Sequence, residues 1–223
     1  MRSHQVRLNC GITMPLLGLA LLPSKMIGRQ QNLLPIWHSR NLGMEYLDMY
    51  LVHWPVKLKP WVHWSQQFLS TKIVRLLDFA SVPPAVNQVE MHPMWRQAKL
   101  RGVCADHKIH VSAYSPLGGP GNSWGTTAVV ESPIIKSIAL KHQATPAQVA
   151  LKWGLSKEAS VIVKSFNQNR LKENMEALDI KLDHQDLVDI DKLEERKIMR
   201  GEVYVNETTS PYKTIEDLWD DEI

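Results

Sequence analysis

Ile109-His-Val-Ser-Ala-Tyr-Ser-Pro-Leu-Gly118 is the stretch on which the fold turns. Its first part, Ile109–Tyr114, is mostly apolar or β-branched and reads as a short buried strand. Ser115-Pro116 stops it, because proline has no N–H to give to a continuing ladder. The strand therefore ends on an aromatic ring and a hydroxyl, where the chain must turn.

Three more runs have the same form: Tyr46–His53, Ala85–Glu90 and Val161–Lys164. Each also ends in polar side chains, His53 in the first, Gln88 and Glu90 in the second, Lys164 and Ser165 in the third. Helix signals fall between and after them. Ser70 opens a helix through Leu77, with Ile73, Val74, Leu76 and Leu77 as its apolar face. Ser132-Pro133 and Thr145-Pro146 each place a capping hydroxyl before a proline at the first helical position. Asn167 opens a segment with Leu171, Met175 and Leu178 at helical spacing. Asp183 opens another, with Leu187, Ile190 and Leu193.

Strand, helix, strand, helix in this order predicts parallel strands joined by helical crossovers. A (β/α) barrel and a doubly wound sheet both satisfy that pattern. The polar strand ends favour the barrel, where functional groups gather at the C-terminal ends of the strands. No GxGxxG follows a strand, so a Rossmann-type dinucleotide site is not supported. The fold class expected is α/β, an incomplete (β/α)8 barrel, in a single domain over 1–223.

Composition narrows the function classes. Charged residues are 22% and hydrophobic residues 44% of the chain, ordinary for a globular domain. A formal net charge of +3 is compatible with a phosphate-bearing small ligand and too weak to argue for nucleic acid. The acidic residues Glu216, Asp217, Asp220, Asp221 and Glu222 read as a solvated helix face. Cys10 and Cys104 lie far apart and outside any CxxC, which points to reduced thiols and a cytosolic, cytoplasmic protein. The apolar stretch Met14–Pro23 is far shorter than the roughly 20 residues that span a bilayer, so no membrane is expected. The nine histidines show no HExxH or paired-ligand spacing, so no metal is expected either.

Several stretches resemble the aldo-keto reductases, a family of NADPH-dependent carbonyl reductases. Tyr46-Leu-Asp-Met-Tyr-Leu-Val-His-Trp-Pro55 is similar to the family's fourth strand. Pro84-Ala-Val-Asn-Gln-Val-Glu-Met-His-Pro93 resembles the sixth, and Ser112-Ala-Tyr-Ser-Pro-Leu-Gly118 the seventh. Val161-Ile-Val-Lys-Ser-Phe166, with Arg170 and Lys172-Glu-Asn174, resembles the eighth strand and the helix after it. Asn9-Cys-Gly-Ile-Thr-Met-Pro-Leu-Leu-Gly-Leu19 resembles the opening hairpin and the start of strand one. The tail from Gly201 through Pro211-Tyr-Lys to Leu218-Trp-Asp looks like that of the plant-type members.

The resemblance implies a cofactor site for NADPH/NADP+. Gln88 would bond the nicotinamide carboxamide, Tyr114 would stack under the ring, and Ser115 and Leu117 would line the pyrophosphate path. Lys164, Ser165 and Arg170 would hold the adenosine 2′-phosphate, with Glu173 and Asn174 near the adenine. Two cations and a hydroxyl at a helix start suit a dianionic phosphate. His53 would orient the substrate carbonyl and Trp54 would form a pocket wall.

The same resemblance exposes gaps. The family's reaction uses a tyrosine acid tuned by a lysine and an aspartate, and none of the three has a counterpart here. Only 26 residues, Ala20 to Glu45, separate the opening motif from the fourth-strand motif. One βαβ unit alone takes about 30 residues, so strands two and three with their helices do not fit. A second gap, Val56 to Gln67, stands where a helix and a fifth strand belong. The expectation is an oxidoreductase by descent that reduces aldehydes or ketones, or else an inactive NADP(H)-binding relative or an unstable truncated product. Its partner would be a small carbonyl substrate if active, with self-association or pairing with a full-length relative as a further expectation.

Overall fold

The computed structural model describes residues 5–7, 13–15, 17–19, 69–80, 83–220 and 222–223. The strand expected over Tyr46–His53, both gap segments, Cys10, His53 and Trp54 lie outside the described residues.

The chain opens with an antiparallel hairpin of β1 (Gln5–Arg7) and β2 (Thr13–Pro15), and β3 (Leu17–Leu19) follows at once. This is the opening hairpin and first strand that the sequence led one to expect. Among the described residues, the other three strands are β4 (Val86–Glu90), β5 (His110–Tyr114) and β6 (Ser160–Val163). They form one parallel sheet in the order β3-β6-β5-β4. The first strand of this sheet in sequence thus lies beside the last, the neighbour relation that closure of a barrel requires.

Helices cover one face of the sheet. Before β4 comes α1 (Ser70–Leu77), and α2 (Ala98–Asp106) joins β4 to β5. A longer crossover joins β5 to β6 through α3 (Ala128–Glu131), α4 (Pro133–Lys141) and α5 (Pro146–Ser156). After β6 come α6 (Gln168–Glu176), α7 (His184–Ile190), a 3-10 turn at Glu202–Tyr204 and α8 (Ile215–Trp219).

Alternation along the strands divides their side chains between two faces. Val89, Val111, Ala113, Val161 and Val163 join Cys104, Ile135, Val149, Leu151 and Trp153 in one buried core. Each fully buried aliphatic side chain there contributes about 1.5–3 kcal/mol. The helix α5 packs so closely on β6 that a Cβ on Gly154 would lie 2.7 Å from a Val161 methyl carbon. The opposite face carries Gln88, Glu90, His110, Ser112, Tyr114, Ser160 and Ile162. In register, these form one row of Gln88, Ser112 and Ser160, and a second of Glu90, Tyr114 and Ile162.

Local signals read from the sequence meet mixed outcomes. Thr145 and Asp183 both make full capping boxes, with Gln148 and Asp186, and Asn167 accepts from the amides of Asn169 and Arg170. Pro133 does begin a helix, but the Ser132 hydroxyl makes no cap bond and is buried without a partner. Ser70 is not the cap of its helix. It lies in the first turn, and the capping position belongs to the apolar Leu69. On α1, Ile73 is buried while Val74 is 44% exposed, so the apolar face is narrower than expected. Both Leu178 and Leu193 fall beyond the ends of their helices.

The acidic C-terminus is no solvated face at Glu222. That carboxylate is about nine-tenths buried and accepts from the Ser70 amide at 3.1 Å and the Ser70 hydroxyl at 3.0 Å. Lys99 reaches its other oxygen at 2.9 Å. A carboxylate at a helix start offsets the positive end of the dipole and satisfies an orphan N–H. Asp220, near it, pairs with Lys72 at 3.5 Å.

Candidate cofactor site

Because β4, β5 and β6 are parallel and in register, their C-terminal ends lie side by side. Glu90 is level with Tyr114, and Tyr114 with Ile162. This arrangement brings Gln88, Tyr114, Ser115, Lys164 and Ser165 to one edge of the sheet, although they are up to 77 residues apart in sequence. Arg170, Glu173 and Asn174 follow on α6, whose cap Asn167 stands three residues past Lys164.

The strand exits are sharply bent. Ser115 has a φ of 50°, a left-handed conformation that costs a non-glycine residue about 1–3 kcal/mol. Such strain gathers at functional sites, and here it turns the chain off β5 directly after Tyr114. The following loop folds onto itself: Ser115 O accepts from Gly118 N at 2.9 Å, and Gly118 O from Thr126 N at 2.9 Å. The Trp124 ring lies against Gly119, where a Cβ would come within 2.7 Å of it. Leu117 is half-buried against the main core.

At the end of β6 the side chains are open to solvent. Lys164 and Arg170 are exposed, and the Lys164 ammonium stands 4.5 Å from the centre of the Phe166 ring. Ser165 Oγ accepts from the Asn167 amide at 3.1 Å. Asn167 already satisfies the amides of Asn169 and Arg170, so an anion here would be held chiefly by side chains. Glu173 accepts the Thr145 hydroxyl at 2.7 Å, and its carbonyl accepts from Gln148 at 2.9 Å, which fixes α6 against α5. Asn174 is buried. Two exposed cations and a hydroxyl beyond a strand end are a donor set that fits the 2′-phosphate of NADP(H).

Sequence reading passed over the cluster beside Tyr114. Glu90 is fully buried, and its carboxylate accepts from the Ile198 amide at 2.8 Å and from the Met199 amide at 3.1 Å. His92 Nε2 lies 3.2 Å away and Lys197 Nζ 3.4 Å away. The Lys197 ammonium also sits 3.8 Å from the centre of the Trp219 ring. Burial pulls this lysine down to about 8, against the opposing pull of Glu90. Burial pushes Glu90 the other way, but the His92 bond, the Lys197 charge and the Ile198 amide outweigh it and hold the carboxyl below its usual range. Through this clasp the tail reaches the site, where Tyr114 Oη donates to Met199 Sδ at 3.5 Å. The one signal available in sequence was Glu90 itself, a carboxylate inside an apolar strand.

Cys104 is buried and reduced, its thiol pushed up to about 11 by burial. Among the described residues no helix is long and apolar enough to cross a membrane.

Residues 67–195 match the sequence pattern described as the Aldo/keto reductase family. Similar curated proteins are plant enzymes. "Aldo-keto reductase family 4 member C11" of Arabidopsis thaliana is 38% identical, over 82% of this chain and 68% of its own length. The "(1S)-1,7-diacetoxy-luvungin A aldo-keto reductase" of Citrus sinensis is 39% identical over the same shares. "Deoxymugineic acid synthase 1" of Zea mays is 38% identical, again over 82% and 68%. With the matched pattern lying across the strands, strand ends and helices just described, the chain belongs to the aldo/keto reductase family.

Proposed function

We propose that the chain binds NADP(H) and is an oxidoreductase of aldehydes or ketones. The observation that carries this reading is the edge where Tyr114, Lys164 and Ser165 stand at neighbouring strand ends, with Arg170 on the helix that follows. Lys164, Ser165 and Arg170 hold the 2′-phosphate, a preference for NADP(H) over NAD(H) that needs those cations. Tyr114 supplies a flat apolar platform for the nicotinamide, and Gln88 hydrogen-bonds its carboxamide. Ser115 and Leu117 border the pyrophosphate, and Glu173 and Asn174 the adenine. When bound, the cofactor supplies hydride to a carbonyl carbon. His53 orients the carbonyl beside Trp54, and with no acid tyrosine in the sequence the rate falls far below that of a complete relative.

A second reading keeps the cofactor and drops the turnover. It is favoured by the 26 residues from Ala20 to Glu45, which have no counterpart of the stretches that carry the family's aspartate, tyrosine and lysine. Titration with NADPH, followed by quenching of the eight tryptophans, tests the shared part of both readings. Saturable quenching that prefers NADPH to NADH and disappears in Lys164→Glu supports it, and no saturable change rejects it. Aldehyde reduction that is lost in His53→Ala then separates the enzyme from the silent binder.

A further inference from the structure

Ser112 is the central residue of β5, between Gln88 of β4 and Ser160 of β6 in register. Its neighbours Val111 and Ala113 are buried among the helices, so its own side chain belongs to the other face, with Gln88. Only 1% of Ser112 is exposed, and its Oγ has no hydrogen-bond partner. The other serine in the row differs: Ser160 Oγ lies 2.6 Å from His110 Nε2. The bare hydroxyl is therefore the one next to Gln88. Buried hydroxyls are ordinarily bonded, and alanine would fill nearly the same volume without the cost of an unmet bond.

We propose that Ser112 is a further cofactor-binding residue, whose hydroxyl bonds the nicotinamide carboxamide of NADP(H) alongside Gln88. The inference rests on the NADP(H) reading above. A carboxamide has two N–H donors and a carbonyl with two lone pairs. A glutamine amide facing it in-plane engages one N–H and one lone pair. That leaves one donor and one acceptor site, and a hydroxyl can serve either because it both donates and accepts. Tyr114, two residues along the same face, is the platform for the ring that bears this carboxamide.

The test compares wild type, Ser112→Ala and Ser112→Cys in binding to NADPH and to adenosine 2′,5′-bisphosphate, which has the 2′-phosphate but no nicotinamide. Urea unfolding of the three chains runs in parallel. Loss of one net hydrogen bond weakens NADPH by about three- to tenfold in Ser112→Ala, with Ser112→Cys between the two. The bisphosphate affinity stays unchanged, and the unfolding midpoint of Ser112→Ala does not fall. If wild type binds NADPH and Ser112→Ala binds it equally well, this inference alone is overturned. Wild type that binds no NADPH overturns the NADP(H) reading and this inference with it. A Ser112→Ala chain that is less stable, insoluble or weakened for both ligands shows that the hydroxyl serves the fold, and overturns the inference as well.

Discussion

Glu90 and Lys197, 107 residues apart, meet with both side chains almost wholly buried and a 3.4 Å separation between Oε2 and Nζ. The carboxylate also holds two backbone amides, and the ammonium also faces the Trp219 ring. The named contacts on the two sides thus differ in kind, amide donors for the carboxylate and ring faces for the ammonium. Glu90 without the lysine keeps the Ile198 and Met199 amides and His92. Lys197 without the glutamate keeps the Trp95 and Trp219 ring faces.

That asymmetry predicts the effect of breaking the pair. Removing one partner of a buried ion pair costs about 3–5 kcal/mol. Glu90→Gln falls in that range and Lys197→Met below it, because the remaining carboxylate retains its amide donors. The double variant Glu90→Gln with Lys197→Met is more stable than Glu90→Gln alone. Urea unfolding of the three chains checks the order.

The pH dependence follows from the same pair with opposite sides of the scale. Glu90 titrates below its ordinary range in the fold, so its contribution is present above the unfolded carboxylate pKa, about 4.3, and is lost as pH falls further. Lys197 titrates at about 8 in the fold and about 10.4 when unfolded, so between those values the unfolded chain binds more protons. Stability from this group therefore rises with pH across that window. Thermal melts of wild type and Lys197→Met from pH 7 to 10 show a larger rise in wild type.

Glu222 caps α1 from 152 residues away. Glu222→Ala removes the acceptor of the Ser70 amide and hydroxyl, a loss of about 1 kcal/mol typical of a missing N-cap. Hydrogen exchange checks it locally, with faster exchange in the first turn of α1 and no change in α5.

Two helix glycines give opposite results on substitution by alanine. Gly102 has nothing within 4 Å of the added Cβ, so Gly102→Ala stabilises by about 0.5–1 kcal/mol through helix propensity and chain entropy. Gly154→Ala presses on Val161, a stiff and fully buried side chain, and costs about 1–3 kcal/mol. Denaturant midpoints separate the two signs.

Short-range rules are readable along the chain. Val86–Glu90, His110–Tyr114 and Ser160–Val163 lie within a residue of the expected runs, because Val89, Val111, Ala113, Val161 and Val163 face the helices at every second position. Thr145, Asn167 and Asp183 were legible as helix starts, because a cap is settled within three or four residues. The strand-end residues Tyr114, Lys164 and Ser165 were legible too, since parallel strands deliver their C-terminal ends to one edge. The helix Ala98–Asp106 was missed, having no capping side chain and a left-handed Gln97 before it. Ser70 was misread because its partner is Glu222, which no local window contains. Only the tertiary structure joined Glu90 to Lys197, brought Met199 to the Tyr114 hydroxyl and left Ser112 bare beside Gln88. Those relations depend on where the chain returns after 107 or 85 residues, or on which neighbour across the sheet offers a bond, and neither is written in the spacing of residues along the chain.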